Sequence, residues 1–279
     1  ITLDTLRIKA LSDEEMGIGV ASASTGFRLG MVTSGAGAVY LSAIYSWKFS
    51  YMVMALLCLA NIFAFIYLPL HKKKPEEKNS FNIKKIFINP VKQLLRNKFI
   101  LQIVSIILTA KNAGTVLNAM GAPFLLGLGY TKVQYASISK VYGLALMIIG
   151  ILSSAVFIKK YGAIKCLYVA VYMQAFSCLI FCLVSFHNDL KTVILALSIE
   201  SFSSGLLTTS FVSFISMYAK SPYVASQFSI LYSIGSLSRI WVTIVSGFVV
   251  SQFGWNILFI TSIFLTLPCL YFIKKMTKS

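Results

Sequence analysis

Long apolar stretches constrain this sequence more than any other feature. A membrane-crossing helix needs about 20 mostly apolar residues. Eight stretches of about that length or longer cover residues 17–43, 49–70, 99–122, 134–158, 163–186, 190–217, 223–251 and 255–273. Residues 1–11 have the pattern of the end of a further helix. Membrane β-barrels use shorter, alternating segments, so the sequence predicts an all-α membrane protein, a multi-pass helical bundle.

The composition excludes the other broad classes of protein. Only 12% of the residues are charged and 57% are hydrophobic, with a mean hydropathy of +0.81. A soluble domain carries about 25% charged residues, so a water-soluble fold and a disordered chain are both excluded. The five cysteines lie inside apolar runs, which indicates small hydrophobic side chains in a membrane and not a disulfide framework.

The net charge of +17 is concentrated between the apolar stretches. Residues 71–98 hold eight Lys and one Arg against two Glu, which predicts a cytoplasmic segment that attracts anionic lipid. Alternation then makes residues 7–16, 159–165, 218–222 and 274–279 cytoplasmic as well, so the C-terminus is predicted inside. Nucleic-acid binding is not expected, because the cations form no stripe on one face.

Two local patterns refine this picture. Residues 81–95 alternate apolar and basic positions at helical spacing, which predicts a surface helix on the inner leaflet that is kinked or divided at Pro90. Ser12-Asp13-Glu14-Glu15 has the pattern of a capping box, with Ser12 as the N-cap and Glu15 three residues later. This box is predicted to begin the 17–43 span.

Two segments far apart in the chain resemble each other. Each has an arginine early in a span, then a Ser-Gly pair, then a tryptophan that opens the next span. The matched residues are Arg28 with Arg239, Ser34-Gly35 with Ser246-Gly247, and Trp47 with Trp255. The offset is about the length of six spans with one long linker. Parallel repeats of six spans are typical of the major facilitator transporters, although two apolar segments can also resemble each other by chance.

A loop motif favours the same class. Residues 155–165, AVFIKKYGAIK, resemble a loop of the major facilitator proteins in which glycine and basic residues recur. Lys160-Tyr161-Gly162 and Lys165 match that loop, whereas Ala155 replaces its first glycine and Lys159 its aspartate. Gly162 is expected to allow a tight turn between two spans.

The position of the basic linker predicts the domain organisation. Residues 1–70 are interpreted as the end of an N-terminal bundle, namely the tail of helix four with helices five and six. Residues 71–98 form the linker, and residues 99–279 form a complete C-terminal six-helix bundle with a short tail. On this interpretation, the first three helices and most of the fourth are expected to lie outside this chain.

Three longer segments resemble the AmpG family of muropeptide permeases, and the resemblance covers essentially the whole chain. They read DTLRIKALSDEEMGIGVASASTGFRLGMVTSGAGAVYLS, KNAGTVLNAMGAPFLLGLGYTKVQYASISKVYGL and ESFSSGLLTTSFVSFISMYAKSPYVASQFSILYSIGSLSRIWV. The matching residues are Asp4, Arg7, Glu14-Glu15, the run Arg28 to Met31, Lys111, Lys140, Glu200, Gln227 and Arg239. Gly114 departs from the family, whose members often carry an acid just after the lysine of helix seven. The acid that the family places in helix four falls four positions before Asp4, outside this chain.

The resemblance implies a twelve-helix carrier of the bacterial inner membrane. Such carriers import anhydro-muropeptides, which are released during cell-wall turnover, and use the proton gradient to do so. It therefore implies a small-molecule substrate and protons as partners, with the chain embedded in the bilayer as a monomer.

Ionisable residues inside spans are costly in a bilayer, so they usually face a partner or a cavity. Glu200 is the best candidate for proton binding, and a structural ion pair with Arg239 or a lysine is the alternative. Arg28, Lys111 and Arg239 could bind the carboxylates of a ligand, or could pair near a helix end. Asp4 and Lys140 complete the charged candidates.

Neutral polar residues extend this set. Asn112, Thr115 and Asn118 are predicted on one side of the 99–122 span beside Lys111, and Gln227 opens the 223–251 span. Serines and threonines follow Glu200. These groups could bind sugar hydroxyls and amides, or could be contacts between helices. Gly26, Gly30 and Ser34 form a small-residue face that predicts close helix packing.

Enzymatic motifs are absent from the sequence. It contains no HExxH, P-loop or GxSxG motif, so neither an enzyme, a metal site nor a cofactor is expected. Without an ATP-binding domain, transport would be secondary. The alternatives to a muropeptide importer are a major facilitator carrier for another solute, and an inactive remnant or half-carrier.

Overall fold

The computed structural model describes residues 2–67, 88–219 and 222–278. These residues are helical and include no strand, which confirms the all-α prediction. The α-helices in this part of the chain are α1 (Thr2–Ala10), α2 (Asp13–Val32), α3 (Ala38–Ile44), α4 (Trp47–Tyr67), α5 (Asn89–Leu95), α6 (Ile100–Thr109), α7 (Asn112–Gly127), α8 (Lys132–Ala136), α9 (Gly143–Tyr161), α10 (Ala163–Phe186), α11 (Leu190–Tyr218), α12 (Val224–Phe253), α13 (Trp255–Phe264) and α14 (Leu267–Lys278).

Six helical segments are long and apolar enough to cross a membrane. They are Ile100–Gly127, Lys132–Tyr161, Ala163–Phe186, Leu190–Tyr218, Val224–Phe253 and Trp255–Thr277. Each falls on one of the six spans predicted after the basic linker, with ends that agree to within about a turn and a half of helix. The chain is therefore a multi-pass membrane protein.

The two earlier apolar stretches are also helical. The predicted span 17–43 is covered by α2 and α3, which are joined by a π-helical segment, Thr33–Gly37. The predicted span 49–70 corresponds to α4, and residues 68–70 lie outside the described part of the chain. Trp47 begins α4 and Trp255 begins α13, as expected from the internal repeat.

Three of the six membrane-length segments are interrupted, which the sequence did not predict. A turn at Ala110 and Lys111 separates α6 from α7. A π-helical segment, Ser137–Tyr142, joins α8 to α9. The turn between α13 and α14 precedes Pro268, which suits the first turn of a helix because it lacks an N–H donor. The turn at Ala110 and Lys111 contains neither glycine nor proline, the residues that usually indicate a helix break in a sequence.

The predicted helix ends are largely confirmed. The backbone N–H and the hydroxyl of Ser12 donate to Glu15 Oε2 over 3.1 and 2.9 Å, and α2 starts at the next residue. One half of the predicted capping box is formed, since the Glu15 carboxylate accepts from the Ser12 N–H. The other half is not, because the Ser12 hydroxyl donates to that carboxylate instead of accepting from the Glu15 N–H. Gly162 has a φ of +87° between α9 and α10, which confirms the tight turn.

The predicted surface helix is only partly within the described residues, since 81–87 lie outside them. Its described end forms α5, with Pro90 in the first turn. Pro90 therefore lies in the first turn of α5, and its effect on the predicted 81–95 helix, a kink or a division, stays a prediction. Pro90 and Leu94 are buried.

The chain divides into two compact units, Ile1–Ser22 with Ile83–Ser279 and Ala23–Asn82. The first contains α5 to α14. The second contains the π-helical segment Thr33–Gly37, α3 and α4, and Ser50 Oγ there donates to the carbonyl of Ala38 over 2.8 Å.

Two predictions about this part of the chain stay untested. An added Cβ at Gly26 or Gly30 would meet no described atom within 4 Å, so the small-residue packing face stays a prediction. The division into 1–70, 71–98 and 99–279 also stays a prediction.

The two largest apolar clusters of the described residues lie in the larger unit. One joins α5, α6, α10, α11, α12 and α14, with Phe211 and Phe214 at its centre. The other joins α7, α10, α11 and α13, where the ring centroids of Phe124 and Phe259 are 5.0 Å apart. Both clusters include residues of α10 and α11, so these two helices run through the unit and position the polar residues between the clusters.

Candidate functional site

Polar side chains from α7, α10 and α11 meet inside the larger unit, around Glu200. Glu200 is half-buried in α11, about three turns from the start of that helix. Its Oε1 accepts from Asn118 Nδ2 over 3.1 Å, and its Oε2 accepts from Ser201 Oγ over 3.3 Å. Asn118 Nδ2 also donates to the carbonyl of Gly114 over 2.9 Å. The carboxylate thus receives hydrogen bonds from two neutral donors.

Gln174 of α10 connects to the same region. It is completely buried, and its Oε1 accepts from Ser203 Oγ over 2.9 Å. The same hydroxyl lies 3.0 Å from the carbonyl oxygen of Glu200. Gln174 Nε2 has no hydrogen-bond partner in the described structure. An added Cβ at Gly114 would lie 3.3 Å from Gln174 Nε2, so the glycine leaves room for the amide.

Gln174 was not predicted as part of the site, whereas Ser203 belongs to the serines and threonines after Glu200 that could bind a ligand or contact other helices. The available signal was the position of a glutamine in the middle of the apolar span 163–186. A buried amide needs hydrogen-bond partners, but its partners lie on α11. The sequence could therefore mark Gln174 as unusual without showing what it contacts.

Lys111 lies at the break between α6 and α7. Its Nζ is 4.1 Å from the ring centroid of Phe211 and 5.8 Å from that of Tyr232. Cation–π contacts of this kind stabilise a cation by roughly 0.5–2 kcal/mol, depending on desolvation. Lys111 precedes Asn118 by seven residues, about 10 Å along a helix axis. Lys111 and Asn118, which is a hydrogen-bond partner of Glu200, are therefore about two helical turns apart along the backbone.

Asn112 contacts a different helix from Asn118. It is 5% exposed, and its Oδ1 accepts from Ser238 Oγ of α12 over 3.0 Å. The expectation that Asn112 and Asn118 share one side of the helix is wrong. Six residues correspond to about 600° of rotation, so the two side chains point about 120° apart. Asn112 therefore acts as a contact between helices in this structure.

The other predicted residues lie elsewhere. Gln227 is buried at the start of α12, where its Nε2 donates to Gln93 Oε1 of α5 over 2.9 Å. Arg239 is exposed on α12, next to Ser238. Asp4 pairs with Arg7, one turn along α1, over 3.0 Å. Their roles in binding or coupling stay predictions.

Two further predicted residues cannot be added to the cluster. Arg28 is half-buried in the part of α2 that belongs to the smaller unit, whereas the Glu200 cluster belongs to the larger unit. Lys140 belongs to the π-helical segment Ser137–Tyr142, and its side chain lies outside the described part of the structure.

A cavity of about 740 Å³ lies along α10 and α11, near the turn that joins them. Its lining is apolar along the helices, with His187, Asn188 and Asp189 near the turn. The Thr192 hydroxyl donates to the Asp189 carboxylate and holds the pKa of Asp189 below its usual range. None of the predicted site residues lines this cavity. Within the described residues, no three His, Cys, Asp or Glu side chains are grouped so as to hold a metal ion.

The sequence of this chain is similar to those of known transporters. The sequence model of the Major Facilitator Superfamily matches residues 4–242. A protein of Rickettsia felis named "Putative transporter AmpG 4" is 30% identical over 287 aligned positions, which cover 100% of this chain and 69% of the relative. A Rickettsia conorii protein of the same name is 30% identical over 97% of this chain and 67% of its own. "Putative transporter AmpG 2" of Rickettsia prowazekii is 29% identical over 96% of this chain and 65% of its own.

Proposed function

The chain belongs to the major facilitator superfamily and to its AmpG group, and from this premise we propose that it imports anhydro-muropeptides across a bacterial inner membrane, driven by protons. Membership already makes it a multi-pass membrane transporter of a small molecule and not an enzyme. The substrate, the proton coupling and a monomeric carrier are the proposed parts.

The position of Glu200 within a membrane-length helix and its hydrogen-bond donors support the proposal of proton coupling. A carboxylate within a membrane-length helix persists only with a partner or a function. Its described neighbours include neutral donors, Asn118 and Ser201. Such donors stabilise the ionised carboxylate without fixing its charge. A protonated Glu200 could keep the contact with Asn118 through the carbonyl oxygen of its carboxyl group, so both protonation states fit this site.

Coupling requires that the protonation of Glu200 change the relative free energies of two transporter states. Ser203 links the Glu200 backbone to Gln174 of α10, and Asn118 links the Glu200 carboxylate to α7. A change in charge at Glu200 would therefore act directly on the contact between α7 and α11. This supports a role for Glu200 in transport beyond a local contact.

Recognition of a muropeptide would use the groups near Glu200. A muropeptide carries carboxylates, amides and sugar hydroxyls, and Lys111 supplies a cation held between aromatic rings. The names of the relatives support this substrate class. A carrier for another solute is the second candidate, because a cation beside aromatic rings would also accept other anionic ligands.

Uptake measurements test the proposal. The protein would be expressed in a bacterial strain whose own permease is deleted, and labelled anhydro-muropeptide would be supplied with and without a protonophore. We expect uptake that requires the protein and is abolished by the protonophore. Uptake that survives the protonophore would contradict proton coupling. Absence of uptake of labelled anhydro-muropeptide, together with protein-dependent uptake of another labelled anionic solute, would assign a different substrate.

A further inference from the structure

The cavity of about 740 Å³ along α10 and α11 has no role in the proposed transport site. Its volume lies within the range of about 300–1,000 Å³ that is usual for small-molecule sites. The described residues that line it include none of those predicted to bind substrate or protons. A function for this cavity therefore has to be inferred from its own lining.

Two apolar stripes form the walls of the cavity. Phe176, Ile180 and Leu183 follow the spacing i, i+4, i+7 on α10. Leu195 and Ile199 are four residues apart on α11. Residues at these spacings lie on one face of a helix. The cavity is therefore a groove between one face of α10 and one face of α11, and we call it the α10–α11 groove.

This groove lies on the outward side of α10. At 100° per residue, its α10 stripe points about 120–180° away from Gln174, which is completely buried in the polar cluster. Phe176, Leu183 and Leu195 are exposed. Both helices are long and apolar enough to cross a membrane, so an exposed apolar groove on this side is suited to an acyl chain.

The length of the groove matches one leaflet of a bilayer. A helix rises about 15 Å over ten residues, which is the separation from Phe176 to Phe186 on α10 and from Asp189 to Ile199 on α11. The hydrocarbon core of a bilayer is about 30 Å thick. An acyl chain along the groove would therefore extend through about half of the core, with its headgroup at the turn between the helices.

The end of the groove at this turn is polar. His187, Asn188, Asp189 and Thr192 line it, and Asp189 alone among the described lining residues carries a carboxylate. The Thr192 hydroxyl donates to this carboxylate. A carboxylate has lone pairs for about four hydrogen bonds, and Asp189 is exposed. A donor on a headgroup could therefore reach it.

The turn is also fixed in place. Asn188 Nδ2 donates to the carbonyl of Leu128, the residue that follows α7, over 3.0 Å. This bond holds the α10–α11 turn against a third helix. A site that is already held in its binding geometry loses less free energy to ordering when a ligand binds.

We propose that the α10–α11 groove binds one phospholipid whose headgroup carries a primary ammonium group. One acyl chain would lie between the two stripes, and the ammonium would donate to Asp189. His187 and Lys191, two residues to either side of Asp189 and both exposed, would suit the phosphate of the same zwitterionic headgroup. A choline headgroup has no N–H to donate, and a glycerol headgroup has no cation for the carboxylate.

The proposal does not depend on the transported substrate or on proton coupling, because its test measures bound lipid. The purified full chain in detergent would be titrated with phosphatidylethanolamine, phosphatidylcholine and phosphatidylglycerol of identical acyl chains. Bound lipid would be counted by native mass spectrometry, and the unfolding temperature of each variant would be measured in parallel.

Two variants separate the headgroup end from the apolar walls. Asp189→Asn removes the carboxylate, with Glu14→Gln, an exposed acid outside the groove, as the control. Leu183→Trp fills the groove, with Leu179→Trp as the control. Leu179 lies one turn away on α10, is 47% exposed against 53% for Leu183, and does not line the cavity.

We expect the wild type to retain phosphatidylethanolamine in preference to the other two lipids. Asp189→Asn should weaken retention of phosphatidylethanolamine by roughly twofold to fivefold, the effect typical of an exposed ion pair, and should leave phosphatidylcholine unchanged. Asp189→Glu should restore the preference. Leu183→Trp should reduce retention of phosphatidylethanolamine and phosphatidylcholine alike, because the indole occupies the space of the acyl chain. Both controls should bind as the wild type does.

Three results would overturn the proposal. Equal retention of phosphatidylethanolamine and phosphatidylcholine by the wild type would show that no N–H donor is recognised. A preference for phosphatidylglycerol would assign the headgroup end to an anion. Equal effects of Leu183→Trp and Leu179→Trp, at unchanged unfolding temperatures, would indicate lipid bound around the whole protein and not in the groove.

Discussion

Gly150 of α9 and Gly205 of α11 lie backbone to backbone. A Cβ added to Gly205 would be 2.2 Å from the carbonyl oxygen of Met147, and one added to Gly150 would be 2.2 Å from that of Phe202. Small residues allow membrane helices to approach this closely. Because α11 also carries Glu200, this contact positions the candidate site relative to α9.

Gly205→Ala should therefore destabilise the protein. The added methyl group has no room, and overpacking of this kind typically costs about 1–3 kcal/mol. Gly121→Ala is the control, because its Cβ would meet no described atom within 4 Å. Thermal unfolding in detergent should show a lower midpoint for the Gly205 variant only. Equal midpoints for the two variants would mean that α9 and α11 separate easily.

The spans of this fold could be predicted from the sequence, whereas their interruptions could not. Length and hydropathy are properties of a single segment, so the six spans were found together with the turn at Gly162. At the break, the Lys111 ammonium contacts the rings of Phe211 and Tyr232, which lie on other helices. Local sequence contains no signal for such contacts.

The candidate site shows the same division. Glu200 was recognisable because a carboxylate in an apolar span is rare. Its partner Asn118 was noted as a polar residue, but the contact between them required the packing of α7 against α11. Gln227 was grouped with the site on the basis of its polarity, whereas its described partner is Gln93 of α5. Polarity marks which residues need partners, and tertiary structure decides which partners they have.

Ser203→Ala should destabilise the protein because it leaves Gln174 Oε1 without its donor. An unsatisfied buried polar group costs about 1–3 kcal/mol. The double variant Ser203→Ala, Gln174→Leu should be less destabilised than the sum of the two single variants, because both partners are then removed. Ser204→Ala is the neighbouring control on α11. Additive losses in unfolding free energy would show that the two side chains are not coupled.

Glu15 should stabilise the start of α2 in a pH-dependent way. Hydrogen bonds from the backbone and hydroxyl of Ser12 lower the pKa of Glu15 in the folded protein. The stabilisation is therefore complete above the ordinary glutamate pKa of about 4.3 and is lost as the pH falls through the lowered folded-state value. The difference in unfolding temperature between the wild type and Glu15→Gln should be present at neutral pH and disappear in acid. A difference that stays constant with pH would contradict this role, and Glu14→Gln is the matched control.

The C-terminus should face the cytoplasm, because residues 71–98 carry nine cations against two glutamates and the six spans that follow return the chain to the same side. A reporter enzyme that is active only outside the cytoplasm, fused after Ser279, should remain inactive. The same reporter inserted in the connection between α10 and α11, after Asn188, should be active and serves as the control. Activity at Ser279 would reverse the orientation of the protein.

Glu200→Gln should impair transport far more than Asp189→Asn. Asp189 is exposed at the turn between α10 and α11, where water and the Thr192 hydroxyl solvate its charge. Glu200 is half-buried and connects α7 to α11 through Asn118. Glu200→Gln keeps an acceptor oxygen for Asn118 but removes the titrating group, so proton-driven uptake of labelled anhydro-muropeptide should fall by about tenfold or more.

The defect of Glu200→Gln should also have a specific form. Without a titrating group, the variant should no longer accumulate substrate when an inward proton gradient is imposed. It should still exchange labelled for unlabelled substrate, because exchange requires no net movement of protons. A merely structural role for Glu200 would instead reduce accumulation and exchange together. Equal accumulation by the wild type and Glu200→Gln, at equal abundance in the membrane, would place proton coupling on another residue, with Asp4 the next to test.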